Sequence, residues 1–160
     1  MPGMTDPSLP IPSEVTTEPP GSHPAHWRFG TTADVGVGAR ADSLPELFRQ
    51  LALGLSDLLT DVTRVSPREV RRIEVAASTP EGLVVAFLTR LIQLFDVEDF
   101  LVGDLEVDVT GEPPRELRAL LRGEAYDPHR HPPGVGVKAV TLHRMFLDLE
   151  RPRAQVILDI

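Results

Sequence analysis

The chain has 160 residues, a net charge of −8, a pI near 5.0 and no cysteine, which predicts one domain and excludes a disulfide framework, a thiolate zinc site and a cysteine nucleophile. The acidic balance also excludes a broad phosphate-binding surface, which needs clustered Lys and Arg; a basic partner or a bound cation suits it better. Hydrophobic residues make up 41% of the chain, enough for a core, and of the 16 basic residues 15 are arginine, Lys138 being the one lysine.

Residues 1–24 hold 7 of the 16 prolines together with Ser, Thr and Gly, and no apolar period. That composition reads as a disordered tail ahead of a folded domain at 25–160. The segment lacks the basic start and apolar stretch of a signal peptide, and no later run is long enough to span a bilayer. A soluble, cytoplasmic protein with no membrane partner is the expectation.

From His26, the runs HWRF and ADVGVGARA alternate, predicting two strands around a turn at Gly30. Ser43 and Glu46 have the spacing of a capping box, with Pro45 in the first turn. Leu44, Leu47, Phe48, Leu51, Leu55, Leu58 and Leu59 then recur at helical spacing, so the helix buries one face and stops near Thr60-Asp61. In PREVRRIEVAAS, Val70, Ile73 and Val75 are candidates for the buried side of a strand, and the slip between Val70 and Ile73 predicts a bulge. Thr79-Pro80-Glu81 starts a second helix. Its body, LVVAFLTRLIQLF, is apolar around most of its circumference, predicting burial between layers and an end by about Asp96.

FLVGDLEVDVTG alternates as a strand, with Leu105, Val107 and Val109 opposite Asp104, Glu106 and Asp108. RELRALLRGEAY suits strand or short helix by period, and its neighbours favour strand. DPHRHPPG is a loop, VGVKAVTLHRMFLDLE a long strand and AQVILDI a final strand. Two helices among strands that come singly early and as a run late predict an α+β fold, both helices packed on one mixed, largely antiparallel sheet.

Three places invite chemistry. In TTADVG, Asp34 lies among small residues just inside a strand, either as a solvated edge residue or as a metal-binding carboxylate. At VILDI the acidic end is either solvated or, if the apolar Ile160 is tucked in, sets its α-carboxylate beside the Asp159 side chain, with Asp34 completing an all-oxygen site. Two fixed carboxylates then repel unless a cation or a basic group sits between them, and oxygen ligands suit Ca²⁺ or Mg²⁺. From Glu124 to His143, His129 and His131 straddle Arg130, a spacing open to metal chelation but better suited by its prolines to a rigid basic loop. Lys138, preceded by Gly134 and Gly136, is either a base of lowered pKa or an edge-strand charge. No phosphate loop, GxGxxG turn or nucleophile elbow is present.

TTADVG, the LALGLSDLLTD helix end, the FLTRLIQLFD helix, GE-YDP-RH, the VKAVTLH strand and terminal VILDI together resemble the archease family in order and spacing over about residues 26–160. Thr31 stands where the family's HTAD motif has His, and Leu142 where Tyr is common. The resemblance implies a small accessory protein of the GTP-dependent RNA ligase that joins 2′,3′-cyclic phosphate or 3′-phosphate ends to 5′-hydroxyl ends in tRNA splicing and RNA repair. It implies that the protein promotes guanylylation and multiple turnover of the ligase and meets RNA only through it. It also implies a divalent cation, calcium or another hard ion such as magnesium, held by Asp34, Asp159 and Ile160. Lys138 and Arg130 are candidates for contacting an anion or the partner. A free-standing metal-dependent hydrolase or nucleotide-binding enzyme is the alternative, though the chain shows no nucleophile or phosphate cradle. A direct RNA chaperone is disfavoured by the charge and by the single Trp and Tyr.

Overall fold

The structure, a computed structural model, describes residues 25–30 and 34–160. The predicted disordered tail and Thr31 lie outside the described residues. Strands β1 (His26–Gly30) and β2 (Asp34–Arg40) precede helix α1 (Leu44–Leu59). Then come β3 (Glu69–Ala76), helix α2 (Pro80–Glu98), β4 (Phe100–Thr110), β5 (Glu116–Ala125), β6 (Ala139–Asp148) and β7 (Arg153–Asp159).

The α+β class holds, with the strands divided between two sheets rather than one. Their orders are β1-β2-β7-β6 and β3-β5-β4, and every described pairing is antiparallel. Both helices contact both sheets, so the apolar circumference of α2 packs between layers and one core joins the whole fold. Phe48 of α1 meets Phe87 of α2 edge-on at 5.9 Å, a favoured aromatic geometry. Arg49 fastens α1 to β4, donating to Asp104 at 2.7 Å and to the Leu105 carbonyl at 3.1 Å.

The helix starts follow the sequence with one departure. Ser43 accepts the Glu46 N–H at 3.3 Å, but the Glu46 carboxylate accepts from Arg49 and Gln50 instead of reaching back. Only half of the capping box forms. At the other end of the pair, α2 runs to Glu98 and closes on Asp99 in the left-handed region, φ 56°.

The bulge expected in β3 is absent: its register with β5 is continuous from Glu69 to Ala76. Val70 faces outward, 49% exposed. Arg71 takes the inward position, its guanidinium 4.7 Å from the Phe100 ring centroid and ion-paired to Glu98 at 3.1 Å, so an arginine stem replaces the expected apolar contact. The register shifts lie in β4 at Gly103, where a Cβ would sit 2.6 Å from the Val65 carbonyl oxygen, and in β6 between Thr141 and Phe146.

Two pairings position the site. β2 and β7 run in strict register, Arg40 opposite Arg153 at one end and Asp34 opposite Asp159 at the other. Gly36 and Gly38 lie on the same face as these charges. Their cross-strand partners, Phe29 and Trp27 of β1, lay their rings where a Cβ on either glycine would be.

Candidate functional site

Asp34 and Asp159 are direct cross-strand partners, so their side chains leave the same face of the sheet. Asp34 is half-buried and Asp159 exposed, at the ends of the two central strands of the sheet. Like charges placed directly opposite destabilise a sheet, and their oxygens are the ligand type that hard cations take. Ile160 follows Asp159 and is 45% exposed, so the condition of a tucked-in last residue is not met: β7 ends at Asp159. Among the described residues, no group of three or more His, Cys, Asp or Glu is arranged to hold a metal. The aspartate pair offers two side-chain carboxylates, and a hard ion there needs further oxygens from Ile160, backbone or water.

Lys138 comes to the same end of the sheet. It sits one residue before β6 rather than within the strand, exposed, and its N–H donates to the Asp159 carbonyl at 2.8 Å. The next residue, Ala139, is the cross-strand partner of Asp159. The backbones of three of the sequence-predicted residues, Asp34, Asp159 and Lys138, thus come to the end of the sheet where β2, β7 and β6 run out, although they come from widely separated parts of the chain.

Arg130 lies elsewhere, committed within the chain. Its guanidinium grips the Glu124 carboxylate with two bonds of 2.7 and 2.8 Å and also donates to Ser66 Oγ at 3.1 Å. Glu124, only 4% exposed, further accepts the Ser66 N–H at 2.9 Å and meets His131 Nε2 at 2.8 Å. Because His131 Nδ1 accepts the Asp127 N–H at 2.8 Å, its ring proton must sit on Nε2 and be donated to Glu124. His131 is fully buried and stacked on Tyr126. Both ring nitrogens are engaged, which settles the His-Arg-His spacing as a rigid loop. The two Arg130 bonds chiefly hold the Glu124 pKa at about 2, below its ordinary 4.5.

Sequence reasoning missed Glu124. The available signal was the order Glu, then Arg and His six and seven residues on, around a proline-rich turn. No helix among the described residues is long and apolar enough to cross a membrane.

Residues 27–160 match the Archease protein family (MTH1598/TM1083). Protein archease from Thermococcus gammatolerans is 40% identical over 118 residues, spanning 73% of this chain and 83% of that relative. Protein archease from Methanosarcina mazei is 32% identical over 135 residues, 81% of this chain and 91% of the relative. The solution structure of protein 1598 from Methanobacterium thermoautotrophicum superposes with a TM-score of 0.68 at 27% identity, over 85% of this chain and 99% of that one. By a family match over nearly all its described residues and by relatives at this identity, the chain belongs to the archease family.

Proposed function

We propose that this protein is a non-catalytic accessory protein of a GTP-dependent RNA ligase, acting in the cytoplasm to promote guanylylation and repeated turnover of the ligase. In this reading a hard divalent cation, calcium or magnesium, is held by Asp34, Asp159 and the carboxylate or backbone oxygen of Ile160. Such an ion supplies positive charge that orders phosphate oxygens during nucleotidyl transfer. The protein's own residues present that charge at the end of the β2–β7 ladder, while Lys138 offers an ammonium to an anion of the partner or its nucleotide. The acidic surface fits a protein that acts on the ligase and leaves RNA contact to it.

The observation that carries the reading is the register that sets Asp34 directly opposite Asp159. An oxygen-seeking cation between the two carboxylates turns their mutual repulsion into attraction.

The test is ligase guanylylation and multiple-turnover ligation with the parent protein, Asp34→Ala, Asp159→Ala and a chain lacking Ile160. Each variant is expected to lose most of the stimulation while remaining folded. Full stimulation by all three would sink the reading, and nucleotide turnover by the isolated protein would point to the enzyme alternative. A second readout needs no ligase: calcium is expected to raise the Tm of the parent but not that of Asp34→Asn combined with Asp159→Asn.

A further inference from the structure

We propose that Glu124 is a positioning residue for Lys138, acting through the segment His131–Lys138. The proposal rests on the reading of Lys138 as an anion-contacting group of the accessory function.

The segment carries two prolines and two glycines and little regular structure, yet it is fixed along its length. At its start, Glu124 holds Arg130 and the fully buried His131. Thr60 Oγ1 then donates to the Pro132 carbonyl at 2.8 Å. Gly134 presses on the last turn of α1 so closely that a Cβ there would lie 2.6 Å from the Leu59 carbonyl carbon. Val135 donates its N–H to the Leu58 carbonyl at 2.7 Å, satisfying an acceptor that the end of a helix leaves open. Val137 is buried, and Lys138 donates its N–H to Asp159.

The chain of contacts therefore runs from a buried carboxylate to the backbone of the candidate site. A lysine ammonium rides on a long, freely rotating stem, so the precision with which it meets an anion depends on how firmly its Cα is held. The Glu124 carboxylate bonds the side chains of both Arg130 and His131, Asp127 holds the backbone of the same two residues, and Thr60 pins the segment further along.

The experiment uses the full chain with Glu124→Gln and, separately, Thr60→Val, which removes a different pin of the same segment and leaves the carboxylate intact. Amide hydrogen exchange is compared at Lys138 and at Leu88 in the middle of α2, and ligase stimulation is titrated with each variant. Loss of one such hydrogen bond is expected to raise the half-stimulating concentration about tenfold with the plateau retained, and to speed Lys138 exchange at least as much relative to Leu88. Equal acceleration at the two amides, or unchanged exchange at Lys138, would show a contribution to global stability only and overturn the proposal. Should the parent protein fail to stimulate the ligase, the functional reading falls, and the exchange comparison still decides whether the clamp positions Lys138.

Discussion

The Glu124 pKa is lowered to about 2 first by the Arg130 hydrogen bonds, with the Ser66 N–H and His131 adding to them and burial opposing. Its folded pKa lies below its ordinary value of 4.5, so its stabilisation is fully present above about pH 4.5 and is lost as the pH falls toward 2. The parent Tm is therefore expected to drop across that window. Glu124→Gln, which has nothing to protonate, is expected to start lower, by about 1–3 kcal/mol at neutral pH, and to vary less with pH. Melting curves followed by circular dichroism from pH 7 to 2 check this, and parallel slopes for the two proteins would refute it. At this scale the sequence revealed Asp34, Asp159, Lys138 and Arg130 as residues worth attention, because small or proline-rich surroundings make a charge conspicuous. Glu124 was hidden, since the contacts that bury it, from Ser66 on one side and Arg130 and His131 on the other, are brought in by tertiary folding.

In β2 the alternation Asp-Val-Gly-Val-Gly-Ala-Arg gives Val35, Val37 and Ala39 to the core and leaves the glycines beneath the rings of Phe29 and Trp27. Gly38→Ala places a Cβ 2.6 Å from Trp27 Cζ2, and overpacking of this kind costs about 1–3 kcal/mol. Gly30→Ala meets nothing within 4 Å and is expected to stay within about 0.5 kcal/mol of the parent. Denaturant unfolding measures both, and Trp27, the only tryptophan, reports the ring displacement by fluorescence. Ser43→Ala is expected to cost about 0.5–2 kcal/mol through loss of the α1 cap, a loss the same unfolding experiment would detect. Helices were legible because period and capping are local. The strands were legible as strands, but their division into two sheets was not, since β2 pairs with the last strand of the chain and β3 with β5. The slip in β3 misled for a related reason: an arginine with an aromatic beneath it fills an inward position that a hydrophobicity pattern assigns to an aliphatic residue.

For the whole molecule, the ladder of β2 and β7 carries two arginines opposite one another at one end and two aspartates at the other. At about 3.4 Å per residue the two pairs stand roughly 20 Å apart, so the ladder's own side chains form a dipole, reduced at the arginine end by Asp42, Glu46 and Glu150, which line the same cleft as the arginines. On the proposed function, the partner is a ligase basic along its RNA path, and in its field such a dipole feels a torque before contact that turns the aspartate end inward. Replacing Arg40 and Arg153 with glutamine is thus expected to slow association with the ligase several-fold at low salt and to leave the rate nearly unchanged at high salt, where charges beyond about 3 Å are screened. Stopped-flow mixing at two ionic strengths reads the difference, and equal rates for parent and variant at low salt would count against it. If that partner is right, the register that brings two carboxylates together also sets which way round the protein approaches it.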